Sequence, residues 1–325
     1  MAWAKEKIDE AQEGVPTDWV VQKGRKERLA PPLGLSEFPA MKILTDSRCC
    51  SYESPGHPER SFRVEATARL LKETHPDWDR PSFDFADQEA LRLAHSEAHL
   101  ARLEEPRRFD EDTDYHEGIF DIARLACGAG LKAMELALEG EKAFSLMRPP
   151  GHHAERERVM GFCYLSNMAI CALAARARGV ERVAVWDFDV HHGNGTQQIL
   201  QGEEGVHFAS VHQHPCFPGT GTESVGNCLN YPVNPGAAPE DHMQVLRRSW
   251  NELLAFHPHL ILVSAGFDAY EGDPIAQMTI REEDFAEIGG WLGRSDTPTA
   301  ALLEGGYSED LPRLVESFLA AWEKA

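Results

Sequence analysis

The chain has 325 residues, 42% hydrophobic, 9% aromatic and 26% charged, a balance that supports a sizeable core and excludes a disordered, collagenous or wholly coiled-coil protein. Its 32 lysines and arginines stand against 53 aspartates and glutamates, a net charge of −21 that repels an extended phosphate backbone and attracts cationic partners. The seven cysteines lack C-x-x-C spacing, and no apolar run reaches the ~20 residues of a membrane helix, so we expect a reducing, cytoplasmic setting with no direct nucleic-acid or membrane partner.

Residues 1–40 carry interspersed charges and the Pro31-Pro32 pair without sustained periodicity, which predicts an appended arm ahead of one domain over residues 41–325. Met41 to Thr45 reads as a short strand. A turn rich in Pro, Gly and His (Pro55 to Pro58) leads into a helix from Arg60 to Glu73, with Val64, Ala68 and Leu71 on one face. Further strands are expected at Ala143 to Met147, Val183 to Phe188, Val206 to Val211, Leu260 to Ser264 and Ala300 to Leu303. Helical patterns lie near 118–139, 164–178, 239–256, 282–292 and 309–323. Nearly continuous apolar strands alternating with helices predict an α/β fold, a mostly parallel sheet with helices on both faces. In such sheets ligands bind beyond the carboxyl ends of the strands, so the polar residues that follow each strand are the candidates for chemistry.

After the third expected strand comes Asp187-Phe-Asp189-Val-His191-His192-Gly193-Asn194-Gly195. Alternation along an extended chain sends Asp187, Asp189 and His191 to one face, where two carboxylates and an imidazole would desolvate badly without a cation. A solvated strand end with a satisfied histidine is the plain alternative. Another buried strand ends in Ser264-Ala-Gly-Phe-Asp268; if the two strands are parallel neighbours, Asp268 joins Asp189 and His191 in a His-Asp-Asp set with an open position, the arrangement of a catalytic zinc. Arg148-Pro-Pro-Gly-His152-His153 presents two adjacent histidines after a strand, suited to general acid-base work, to metal ligation or simply to the surface. Gly161-Phe162 and Phe217-Pro-Gly-Thr-Gly221 offer aromatics beside flexible backbone as walls of an apolar slot. The Gly305-Gly306 pair before Tyr307 would let the phenol reach a developing oxyanion.

Together these segments resemble the histone deacetylase superfamily, on the arginase-deacetylase fold, over roughly residues 41–325. The resemblance rests on P-G-H-P-E-R (55–60), R-P-P-G-H-H-A-E (148–155), G-F-C-Y-L (161–165), D-F-D-V-H-H-G-N-G-T (187–196), F-P-G-T-G (217–221), S-A-G-F-D (264–268) and E-G-G-Y (304–307). The wording is similar to the class II branch, shared with bacterial deacetylase-like amidohydrolases and acetylpolyamine amidohydrolases.

The resemblance implies that Asp189, His191 and Asp268 bind Zn2+, that His152 and His153 are the acid-base pair, and that Tyr307 polarises the substrate carbonyl. It further implies that Asp187 orients His152 and holds a structural K+ with Ser210 and the backbone of Asp189, His191 and Val211. Asn194 matches the partner of His153, where the class I branch has aspartate. Gly161, Phe162 and Phe217 would line an acyl-lysine tunnel, and Asp112, among Asp110, Glu111 and Asp114, would contact substrate at its mouth. The implied activity is hydrolysis of N-acetyl-lysine in proteins or peptides, with acetylpolyamine hydrolysis as the runner-up and a non-catalytic acyl-lysine binder or a dimanganese hydrolase behind it. Ile275 stands where a subset of polyamine deacetylases has a glutamate gatekeeper, which counts against that specificity. Oligomeric state is left open.

Overall fold

The computed structural model describes residues 40–325, so the expected arm lies outside the described residues except for Ala40. Seven strands are found among the described residues: β1 (Lys42–Leu44), β2 (Ala143–Ser145), β3 (Val183–Asp187), β4 (Val206–Gln213), β5 (Cys228–Val233), β6 (Leu260–Ala265) and β7 (Thr299–Leu303). They form one sheet in the order β1-β2-β7-β6-β3-β4-β5, and every neighbouring pair is parallel. Every residue of β2, β3, β6 and β7 is buried. Parallel strands covered on both faces need apolar side chains at consecutive positions, which is why these segments read as unbroken Val, Ala and Leu runs.

The covering helices are α1 (Phe62–Thr74), α2 (Gln88–Ala94), α3 (Glu97–Arg102), α4 (Ile119–Leu138), α5 (Asn167–Ala177), α6 (Asn194–Leu200), α7 (Pro239–Leu254), α8 (Glu282–Gly293) and α9 (Leu311–Lys324). Small residues let α4 pack closely; a Cβ on Gly128 would lie 1.9 Å from the carbonyl oxygen of Asp84. Trp186 of β3 packs against Trp250 of α7 and Trp291 of α8, and its indole N–H donates to Ser249 Oγ at 2.9 Å. A buried indole with its donor satisfied gives its full apolar area to the core.

Three short helices and one strand were not anticipated. α2, α3 and α6 have seven residues or fewer, too short to show a period, although Asp87 and Ser96 do cap α2 and α3 with their side chains. β5 carries Asn230 and Pro232, which interrupt its apolar run; the strand lies at the sheet edge, where a proline without N–H is tolerated.

The register aligns the carboxyl ends of the central strands. Asp187 pairs with Ser210 of β4 on one side and Ser264 of β6 on the other, while Leu302 of β7 pairs with both Ser264 and Ser145 of β2. Five adjacent strands therefore release their following loops along one edge, and the segments that follow β2, β3, β4, β6 and β7 leave from it, whereas Asp112 comes from the loop between α3 and α4.

Candidate active site

β3 ends at Asp187, one residue earlier than expected, and the chain beyond it is not extended. The carboxylates themselves fold this loop: Asp187 Oδ1 accepts the backbone N–H of Asp189 at 3.1 Å, and Asp189 Oδ1 accepts that of His191 at 2.9 Å. Two successive turns of this kind place alternate side chains on one side without a strand. From β6, Asp268 reaches the same point and accepts the Val190 N–H through Oδ1 at 2.9 Å. From β7, the Gly305 N–H donates to Asp189 Oδ2 at 2.7 Å.

The result is a cluster of Asp189, His191 and Asp268, one ligand atom from each lying within 4.8 Å of the others. His191 Nδ1 faces Asp189 Oδ1 at 3.3 Å and Asp268 Oδ2 at 3.0 Å. Both aspartates are fully buried. Burial works against a charged imidazole, yet the two carboxylates hold His191 well above the ordinary histidine range. Two buried carboxylates with one histidine are the donor set of a divalent ion with positions to spare. Glycines make the room: a Cβ on Gly266 would stand 2.1 Å from Asp189 Oδ2, and one on Gly305 2.2 Å from Asp268 Oδ2. The residues fit a metal ion.

His152 and His153 follow β2, their rings 4.0 Å apart between centroids. His152 Nδ1 lies 3.1 Å from Asp187 Oδ2, and Nε2 lies 3.7 Å from Asp189 Oδ1. Burial disfavours its charge, but Asp189 and Asp187 outweigh it and push His152 up to about 10. His153 Nδ1 instead meets the neutral Asn194 Oδ1 at 2.8 Å. Burial, then the neighbouring His152 and His191, drive His153 well below the ordinary range. The adjacent imidazoles are thus pushed in opposite directions, the kind of separation that acid-base chemistry uses.

A cavity of about 420 Å³ opens over these groups, lined by His153, His191, Tyr307, Gly161, Phe162 and Phe217, with Asp112 and Ile275 among the other residues that line it. Burial keeps the Tyr307 phenol well above its usual pKa, so it stays an O–H donor at neutral pH. Phe217, 44% exposed, stands edge-on to His153 at 5.0 Å. Phe162 adopts φ +68°, costly for a side chain with a Cβ, and is held there by its N–H donating to Thr113 Oγ1 at 3.0 Å. Preceding it, Gly161 leaves no space for a Cβ, which would sit 2.5 Å from His153 Cδ2. Asp112 is exposed, and its carbonyl pairs with His57 Nε2 at 3.0 Å. Asp114 is engaged by Ser54 and Arg108, and the Asp110 carboxylate accepts the Asp112 N–H at 2.9 Å, so both serve the loop. Ser210 and Val211 are buried beside Asp187, and Ser210 Oγ is paired with His212 Nδ1 at 2.9 Å.

Several supporting groups were not foreseen. Glu304 Oε2 accepts the N–H groups of Gly151 and His152 at 2.7 and 3.1 Å, clamping the loop that bears the histidines. Arg63 of α1 donates to Gly306 O at 2.7 Å and lies over the Tyr307 ring at 4.7 Å. Asp273 Oδ2 accepts the Tyr307 N–H at 2.7 Å. Arg148, fully buried, forms a two-pronged pair with Glu59, both contacts at 2.7 Å. The Glu and Arg of P-G-H-P-E-R and R-P-P-G-H-H were visible as letters, but their pairing spans 89 residues of sequence.

A model of the histone deacetylase domain matches residues 57–322. The chain belongs to the histone deacetylase family. Its deacetylase relatives include a probable deacetylase of Methanothermobacter thermautotrophicus, 38% identical over 78% of this chain and 82% of that protein. An acetylpolyamine amidohydrolase of Burkholderia pseudomallei is 33% identical over 78% of this chain and 79% of its own length. The solved HDA15 HD domain superposes with a TM-score of 0.82 at 29% identity, covering 88% of this chain and 89% of that one. As a histone deacetylase family member the protein is an amide hydrolase, and its parallel α/β sheet agrees with that neighbour.

Proposed function

We propose that the protein is a zinc-dependent deacetylase acting on the side-chain amide of N-acetyl-lysine in proteins or peptides, with residues 41–325 as the catalytic domain and the cytoplasm as its setting. The observation that carries the reading is the single cavity into which His153, His191 and Tyr307 all open, walled by Phe162 and Phe217 and ending at an exposed carboxylate. Asp189, His191 and Asp268 would hold the zinc ion, which when bound supplies a Lewis acid that activates water and polarises the acyl carbonyl.

With Nδ1 committed to Asn194, His153 presents Nε2 to the cavity, takes a proton from the attacking water there and returns it to the leaving amine. His152, kept as an imidazolium between Asp187 and Asp189, contributes fixed positive charge beside the reacting centre. Tyr307 donates its phenol proton as a hydrogen bond to the tetrahedral oxyanion. Phe162 and Phe217 sandwich the aliphatic stem and exclude water, while Asp112 accepts from the substrate backbone at the rim.

We extend the reading to a structural K+ held by Asp187 and Ser210 with the backbone of Asp189, His191 and Val211, supported by the alignment of Asp187 with Ser210 across β3 and β4. A K+-dependent rise in thermal stability in sodium-free buffer tests it. The second reading is an acetylpolyamine amidohydrolase, favoured by the relative named for that activity. Parallel assays with an acetyl-lysine peptide and acetylspermidine separate the two. Turnover of the peptide supports a lysine deacetylase, and turnover of acetylspermidine alone refutes it.

A further inference from the structure

The partner of His153 is an amide, and an amide has two ends. Asn194 presents Oδ1 to His153 Nδ1 at 2.8 Å, and its Nδ2 donates to Glu155 Oε1 at 3.0 Å. The remaining Nδ2 neighbours are weaker, the His153 carbonyl at 3.5 Å and the Met160 sulfur at 3.4 Å. Glu155 is fixed in turn by reciprocal backbone hydrogen bonds with Arg158, at 2.9 and 3.4 Å, in the turn that follows the two histidines.

We infer that Glu155 is a positioning residue that sets the tautomer of His153 through Asn194, an inference resting on the deacetylase reading above. An ionised carboxylate only accepts, so the group facing Glu155 must be the NH2 end of Asn194. The oxygen end then faces His153, so Nδ1 must carry the proton and Nε2 keeps its lone pair toward the cavity. A base needs that lone pair. Without Glu155 the amide can turn over and offer its NH2 to the imidazole, which places the proton on Nε2 and leaves no acceptor at the reacting water. Where an aspartate would fix the tautomer directly, since both of its oxygens accept, an asparagine needs a second acceptor behind it.

The test uses the zinc-loaded full chain with Glu155→Ala and Glu155→Gln, selectively 15N-labelled at histidine, with His153 assigned by its own replacement. Steady-state deacetylation is measured on the same samples. Glu155→Ala is expected to convert His153 from Nδ1–H to a mixture or to Nε2–H and to lower kcat about tenfold or more with KM nearly unchanged. Glu155→Gln keeps an acceptor oxygen and is expected to retain the Nδ1–H signal and most of the activity. A Glu155→Ala protein that keeps the wild-type tautomer overturns the proposal, whether its kcat is normal or reduced, because any loss would then be structural. Loss of the Nδ1–H signal in Glu155→Gln to the same extent as in Glu155→Ala also overturns it. If the wild type hydrolyses neither acetyl-lysine peptide nor acetylspermidine, the proposed function fails on its own, and the nitrogen signals still decide the role of Glu155.

Discussion

Gly305→Ala tests the metal centre with a single methyl group. Gly305 is outside the left-handed region of φ, so alanine meets no backbone strain there. The new Cβ would fall 2.2 Å from Asp268 Oδ2 and 2.5 Å from Asp189 Oδ2, whereas non-bonded contacts of this kind stay beyond 3.0 Å. Each carboxylate must retreat by roughly half an ångström or more, well past the tolerance of about 0.2 Å in metal-ligand distances. Asp189 cannot move freely, because Oδ2 also accepts the Gly305 N–H. We expect zinc affinity to fall about 100-fold and stability by about 1–3 kcal/mol from overpacking, with the circular dichroism spectrum retained. Competition against a chromophoric chelator measures the affinity. Zinc binding by Gly305→Ala within threefold of wild type would refute the assignment of Asp189 and Asp268 as joint ligands.

Tyr307→Phe should lower kcat by about 100-fold or more with KM nearly constant, as expected for one lost oxyanion donor; its backbone bond to Asp273 survives the change. Asp112→Asn should raise KM for an acetyl-lysine peptide about tenfold and leave kcat close to wild type, since a charge-assisted hydrogen bond at the rim is weakened. Buried His242 in α7 has no hydrogen-bond partner on either ring nitrogen, and burial pushes its pKa down to about 4. The unfolded chain therefore binds the proton first, at about 6.5, and stability is lost as pH falls from there toward 4. The cost at pH 4.5 is about 2.5 kcal/mol, so His242→Leu should lose that much less than wild type between pH 8 and pH 4.5 in urea titrations. Parallel loss in both proteins would remove His242 from the acid response.

Much of the site was legible because the fold spends one motif per strand. The D-x-D-x-H wording reads as strand alternation, and Asp189 and His191 do meet while Asp187 turns to His152, but the cause is different: each carboxylate caps the backbone two residues on, after β3 has ended. Local chemistry and strand periodicity produce the same spacing of two, so the sequence could not tell them apart. The groups that hold the motifs in place were invisible for a different reason. Glu304 reaches Gly151 across 153 residues through the pairing of β2 with β7, and Arg63 reaches Gly306 across 243 from α1, so only the assembled fold brings these partners together. Glu155 stands in R-P-P-G-H-H-A-E with nothing in the sequence to mark its partner, and its contact with Asn194 depends on how α6 begins.

The central claim is that Asp189, His191 and Asp268 hold one zinc ion that serves an amide-cleaving site for acetyl-lysine. Metal-analysed protein should be assayed with a fluorogenic acetyl-lysine peptide beside acetylspermidine, with Asp268→Ala as the control. The account predicts about one zinc per chain and peptide turnover, both lost in Asp268→Ala. Full peptide turnover by Asp268→Ala, or by protein stripped of its metal, would contradict it.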